Sequence, residues 1–380
     1  MALGKRKNRP VVGLDIESGF IAAAEMTDGG VPTLTRAVTG TLRPGLFHDG
    51  EVVDVDGLAE QLKSFFHEGG LSKRVRLGLA SQRVVLRVLE LPAIDDEDEL
   101  ESAVRFQAQE ELPMPLDQAV LDHRVLERFN VGNGVRMRVL VVAVRRDSVE
   151  HLLTAVRKAG LAPELVDLSA FAIVRALYTP SRPAAAAEAV DPEAPTDLMP
   201  PPDHEQPSDL GTMYCYVGGL TNLAIAVGPN CVFNRVLPNG FESMAAALAE
   251  RKGLTLEHSR QWLKEVGLAR EIENIDGERE IIEEARTILT NGARRIADEV
   301  RLSLEYYRSA VPDARPVERV VIAGPGVAIA GLPQALEAEL GLAVEPRSFG
   351  KIQVTAGVLD EADGAQLTVA AGLALEEVAA

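Results

Sequence analysis

Aromatic residues are scarce in this chain. They make up 4% of its 380 residues, with a single Trp. Any core therefore rests on Leu, Val, Ile and Ala, and a hydrophobic share of 46% beside 25% charged residues is the profile of an ordinary globular protein. Cysteine is nearly absent: Cys215 and Cys231 each stand alone inside an apolar run. Two isolated Cys make neither a disulfide framework nor a zinc site, and they read as small core residues in a reducing compartment. The six His (His48, His67, His123, His151, His204 and His258) are scattered without metal-ligand spacing. No apolar run reaches the length of about 18 residues that a membrane-crossing helix needs. No signal-like apolar stretch precedes Pro10, so the cytoplasm is the expected location. Basic charge is also short, with 39 Lys and Arg against 57 Asp and Glu for a net −18. That balance excludes nonspecific nucleic-acid binding. The one tight basic cluster, Lys5, Arg6, Lys7 and Arg9, reads as a solubilising tail over residues 1–9.

The stretch that organises the chain is VVGLDIESGFIAAAEM, Val11 to Met26. Two apolar runs flank Glu17-Ser18-Gly19, which predicts a β-hairpin with a tight turn. Asp15 closes the first strand. A turn of small and hydroxyl residues can aim backbone N–H groups at a phosphate, and the carboxylate can hold Mg²⁺. Ser18 and Gly19 are the phosphate candidates here and Asp15 the metal candidate. One short motif is weak evidence by itself, so the pattern needs support from elsewhere in the chain.

Further along, Glu51 to Val55 reads as a strand, and Asp56 as the N-cap of a helix that Gly69-Gly70 ends. Arg74 to Ala80 and Arg83 to Leu91 alternate as strands. The order strand, helix, strand, strand suggests a small α+β unit over about residues 46–120. A helix is expected from Asp95 to Glu111, with an acidic first turn that suits the helix dipole. Strands follow at Leu121–Arg128 and Val135–Arg145, then a helix capped by Asp147. Asp167 stands just before another helix, as an N-cap or near a ligand. Residues 179–211 are crowded with Pro, Ala and acids and cannot bury enough apolar surface to offset ordering entropy. They read as a linker between a first half, 10–178, and a second, 212–380.

The second half opens by repeating the plan of the first. MYCYV and LAIAV flank Gly218-Gly219-Leu220-Thr221-Asn222, and a third strand follows Gly228-Pro229-Asn230. Gly218, Gly219, Thr221 and Asn222 are the candidates for a second phosphate turn. A long amphipathic helix over about 278–310 precedes an apolar strand, Arg319–Ala323. That strand runs into Gly324-Pro325-Gly326, where Gly324 and Gly326 let a ligand approach the backbone. Two duplicated halves of this design can close on one phosphate tail from both sides.

Taken in order, these three turns resemble the actin and Hsp70 ATPase superfamily. Within it the chain is similar to the PilM family of type IV pilus assembly proteins, an FtsA-like branch. The likeness is carried by LDIESG at 14–19, PGLFHDGEVVD at 44–54, RVLELP at 87–92, the acidic helix running into LPMPL at 112–116, GLAPELVDLSAFAIVRAL at 160–177, EVRLSLEYYRS at 299–309 and RVVIAGPGVAIAGLPQAL at 319–336. It implies an α/β, two-lobed actin-like ATPase fold with a small inserted α+β subdomain. It also implies ATP and Mg²⁺ between the lobes, and a place beneath the inner membrane as an adaptor. The implied partner is the cytoplasmic N-terminal peptide of a PilN-like membrane protein, seated between the first lobe and the small subdomain.

The chain departs from the family pattern. Glu17 stands where the first loop has Gly, and Ala22 to Ala24 where it has a Lys. Tyr216 replaces the Asp that opens the second loop, Pro325 replaces a Gly of the adenosine loop, and Arg260 sits near where relatives place a ribose-binding Glu. Each change removes a phosphate, metal or ribose partner or adds a repelling charge. The expectation is weak hydrolysis at most, or a scaffold that has lost ATP. Two rivals share the superfold. An FtsA-like filament protein needs a C-terminal amphipathic membrane helix, and the acidic end of this chain does not offer one. An actin-fold small-molecule kinase needs the missing loop Asp.

Overall fold

The computed structural model describes residues 10–27, 32–132, 134–179, 210–348, 352–359 and 363–375. The basic tail, nearly all of the 179–211 segment and residues 376–380 lie outside the described residues. The opening hairpin forms as expected, with β1 (Val11–Glu17) antiparallel to β2 (Phe20–Thr27) and β3 (Thr33–Thr41) beside β2. Two short strands, β4 (Phe47–His48) and β5 (Glu51–Val52), lead into α1 (Val55–Glu68). The cap of α1 is Asp54, not Asp56: its carboxylate accepts from the N–H groups of Asp56 and Gly57 at 3.1 and 3.0 Å. Asp54 is still extended, whereas Asp56 already lies in the first turn.

Strand β6 (Arg74–Leu79) then runs parallel to β1. It is the return strand of a crossover through α1, the connection that parallel strands require. This corrects the expected small unit over 46–120. The separate three-stranded sheet has the order β7-β9-β8, built from β7 (Val85–Pro92), β8 (Ala119–Val131) and β9 (Gly134–Arg145). The helix α2 (Glu97–Glu111) lays Leu100, Val104 and Ala108 against it. Next come α3 (Arg146–Lys158), β10 (Ala162–Leu168) and α4 (Ser169–Leu177). Asp147 does not cap α3, which has no side-chain cap; its carboxylate pairs with Arg145.

The second half contains β11 (Gly211–Val217), β12 (Thr221–Val227), β13 (Asn230–Leu237), α5 (Phe241–Lys252), α6 (Leu256–Val266) and α7 (Arg279–Ala310). It continues through β14 (Val317–Ala323), a 3-10 turn at Pro325–Ala328, α8 (Leu332–Leu340) and β15 (Ala343–Pro346). The chain then returns to the first sheet with β16 (Gln353–Val354), α9 (Asp363–Gln366) and α10 (Thr368–Ala374).

The two main sheets show the duplication directly. One runs β3-β2-β1-β6-β10, with β16 added beside β3; the other runs β13-β12-β11-β14-β15. Each has a hairpin-linked trio followed by two strands that join in parallel. α4 packs on both sheets, and α10 lies on β1, β2 and α4. Two glycines allow that close approach. A Cβ on Gly13 would fall 1.9 Å from the Ala370 carbonyl oxygen, and one on Gly372 would fall 1.9 Å from that of Ala172.

Candidate functional site: a closed cleft and an open groove

The turns of the two hairpins meet between the halves. Successive side chains of a strand point to opposite faces, so Gly13, Asp15 and Glu17 share one face of β1. Gly13 faces α10, and Asp15 and Glu17 continue that face into the cleft. Both carboxyls are buried. The Glu17 carboxylate reaches across to the second turn, where Oε2 accepts from the Gly219 N–H and, at 3.2 Å, from the Leu220 N–H. A Cβ on Gly218 or Gly219 would come within 2.7 Å of that same oxygen. The glycines of the second turn thus form a cradle, and a side chain of the first hairpin fills it. Burial raises both pKa values, Asp15's to about 7 and Glu17's well above the carboxylate range, where the neighbouring Asp15 charge adds to the rise.

Other contacts close the same gap. The Gly219 Cβ position is 2.9 Å from the Ser18 carbonyl oxygen, so the two turns touch. Arg260 of α6 pairs with Glu242 of α5 through two N–H groups at 2.8 and 2.7 Å. It also donates to the Gly19 carbonyl at 3.4 Å. The Tyr216 ring is fully buried under Gly218 and Gly324, whose Cβ positions lie 2.6 and 3.1 Å from it. Gly324 has a φ of +90°, a conformation that suits glycine. Gly326 packs on Val217. The Thr221 hydroxyl is already engaged: it donates to the Asn239 carbonyl. Asp15 Oδ2, the Tyr216 hydroxyl and both amide atoms of Asn222 are buried and have no hydrogen-bond partner among the described residues.

The fold implies a nucleotide with Mg²⁺ at this place. Asp15 Oδ2 is a buried acceptor of the kind a cation takes. The phosphate half does not fit as arranged. The amides that a phosphate would use already serve Glu17, the turns are in contact, and Pro325 has no N–H to give. Asp167 lies elsewhere. It neither caps α4, whose N-cap is Leu168, nor faces the turns; it pairs with Arg175.

A second feature is open. A cavity of about 540 Å³ lies between β8, β10, α4 and the β12–β13 turn. Leu126, Leu140, Phe171 and Val174 supply apolar walls, Asp122 and Arg124 polar ones, and Pro229 to Cys231 close one end. β8 and β10 are each the last strand of their sheet on this side, and Leu165 of β10 is 42% exposed at its lip. The Leu126, Pro229 and Asn230 walls are shared with a neighbouring cavity of about 470 Å³, which Arg138 and Asp313 border. Sequence reading did not single out these residues. The signal available was a strand ending in partly exposed Leu and Val beside a helix rich in apolar residues.

Comparison with known proteins places the fold. Residues 13–190 match the family model for type IV pilus assembly protein PilM. The chain is also similar to a chain of a PilM–PilN type IV pilus biogenesis complex, at 25% identity over 97% of this chain and 98% of that one, with a TM-score of 0.74. The chain is thus similar to PilM over its first half in sequence and along its length in fold. Its architecture is the two-lobed actin-like ATPase fold with a small extra subdomain, here the β7-β9-β8 sheet and α2. Ethanolamine utilization protein EutJ from Carboxydothermus hydrogenoformans shares the fold, at 14% identity over 96% of this chain and 89% of that one with a TM-score of 0.51. MreB5 of Spiroplasma citri bound to ADP matches at 14% identity over 96% and 94%, with a TM-score of 0.48. Among the described residues, no helix is long and apolar enough to cross a membrane.

Proposed function

We propose that the chain is a cytoplasmic adaptor at the inner membrane, working in a type IV pilus or related assembly by holding the N-terminal peptide of a PilN-like membrane protein. The observation that carries this reading is full-length similarity to a chain of a PilM–PilN complex. The open groove supports it. Two sheet edges flank an apolar floor, an arrangement that receives an extended peptide through main-chain hydrogen bonds at an edge and side-chain pockets between. The test is titration with a synthetic PilN-like N-terminal peptide. A rise in melting temperature and micromolar binding by calorimetry are expected, both abolished by Leu126→Arg in a variant that still folds. Silence of both readouts at saturating peptide would remove the reading.

ATP and Mg²⁺ enter this proposal as the ligands the fold implies. Asp15 would hold the cation, and Ser18, Gly19, Gly218 and Gly219 the phosphates, only after Glu17 leaves the second turn. Gly324 and Gly326 would then border the nucleoside. The adaptor role needs no hydrolysis.

A further inference from the structure

We propose that Glu17 is a built-in ligand of the second phosphate turn, a carboxylate that stands where a nucleotide phosphate would and ties the two lobes together without nucleotide. The inference concerns the cleft and is independent of the peptide groove. It rests on three placements. First, Oε2 of Glu17 accepts from two successive backbone amides, Gly219 and Leu220, the geometry by which such turns hold an anion. Second, the glycines of that turn are shaped around it, since a Cβ on either Gly218 or Gly219 would strike the Glu17 carboxylate. Third, the side chain comes from the opposite lobe, so the bond does what a bound phosphate does in a two-lobed cleft and bridges both halves.

The rest of the cleft agrees with a closed joint. Arg260 is committed to Glu242 and to the carbonyl of Gly19, which clamps the first turn from its other side. The Tyr216 ring fills the space beneath Gly218 and Gly324. A nucleoside triphosphate entering here has to displace Glu17 from its amides and separate the Ser18 and Gly219 turns, which are already in contact. The cleft is therefore a joint held by an internal carboxyl group, and it admits the phosphate tail only when that group is withdrawn.

The experiment compares the full chain with Glu17→Gly and Glu17→Gln, using Mg·ATP and inorganic pyrophosphate as probes in calorimetry, with amide hydrogen exchange as a second readout. The wild type should give no binding at millimolar Mg·ATP, while Glu17→Gly binds at least about tenfold tighter. The Gly219 and Leu220 amides should be protected in the wild type and should exchange faster in Glu17→Gly than in Glu17→Gln, whose side-chain oxygen still accepts from them. Equal affinity of wild type and Glu17→Gly for Mg·ATP would overturn the proposal. So would unchanged exchange at Gly219 and Leu220 in Glu17→Gly or, should that variant fail to fold, in Glu17→Ala, which also removes the acceptor. Peptide binding in the groove, measured on the same samples, separates this outcome from that of the adaptor reading.

Discussion

The hairpins β1–β2 and β11–β12 face each other from the two halves, share one strand order and carry opposite chemistry. The first turns acidic groups toward the cleft, Asp15 and Glu17, beyond a glycine, Gly13, that faces α10. The second brings a buried tyrosine, Tyr216, and a turn of two glycines that presents backbone amides. Each turn alone is an incomplete anion site. Together they satisfy one another, because the carboxylate of one lies on the amides of the other. The lesson is that two turns of one plan, placed face to face, can complete one another as an internal contact.

The largest test of this contrast concerns how closely the strands are covered. Gly13 of β1 admits α10, while the same place in β11 is Met213, a large core side chain. Gly13→Val should destabilise the protein by about 3 kcal/mol or more, since the clash is with helix backbone and not with a movable side chain. Met213→Val should cost about 1–2 kcal/mol as a core truncation. Urea unfolding of both variants settles the order; equal midpoints would mean that α10 does not press on β1.

Acidity sharpens the comparison next. Burial raises the folded-state pKa of Asp15 from 3.8 to about 7 and moves Glu17 in the same direction. A raised pKa means that the fold favours the protonated form. The stability it confers is full below the unfolded value and is lost as pH rises through the folded one. The melting temperature should therefore fall between about pH 4 and pH 7, and the Glu17 shift extends the fall upward. Asp15→Asn should flatten this slope and raise the melting temperature above pH 7. The second hairpin has no such group. Cys215, on β11, is pushed up to about 12 by burial and stays neutral across that window. Cys215→Ala should lower stability without altering the slope.

How much of this was legible from the residues varies with distance along the chain. Both hairpins and the Gly-rich turns are local patterns, and they form where the alternation and turn residues place them. The resemblance to an actin-like fold rested on the order of those turns, which the strand orders repeat. What the sequence hid are pairings between remote segments. Arg74 to Ala80 reads as a strand, but only tertiary packing puts β6 (Arg74–Leu79) beside β1 and not in the small sheet. Glu17 stood out as an intruding charge in a phosphate turn; its partner amides lie about 200 residues away, beyond any local rule. Thr221 looked like a phosphate contact by composition, yet the strand's alternation turns it toward Asn239. The resemblance implied a peptide seat between the first lobe and the small subdomain, but the residues of the groove could not be read for the same reason, since its walls come from β8, α4 and the β12–β13 turn.

The smallest expected effect asks whether the small sheet and the second lobe act as one body. Arg138 of β9 is mostly buried, and its guanidinium donates to Glu90 of β7 at 3.2 Å, to Glu127 of β8 and, at 3.0 Å, to Asp313 beyond α7. It also lies 4.6 Å over the Phe129 ring. One cation therefore gathers both neighbours of its own sheet and reaches the other lobe. Its acids are partly exposed, so after Arg138→Ala they can turn to water, and the loss should stay near about 1 kcal/mol. Arg105→Ala, which breaks only an exposed i,i+4 pair with Glu101, should cost about 0.3 kcal/mol. The informative number is peptide affinity measured on both variants. Arg138 borders the cavity that shares Leu126, Pro229 and Asn230 with the groove. If the second lobe helps to shape the groove, Arg138→Ala weakens the peptide severalfold and Arg105→Ala leaves it unchanged. Equal affinities would confine peptide recognition to the first lobe and its small sheet, and the closed cleft would then hold the lobes together without informing the groove.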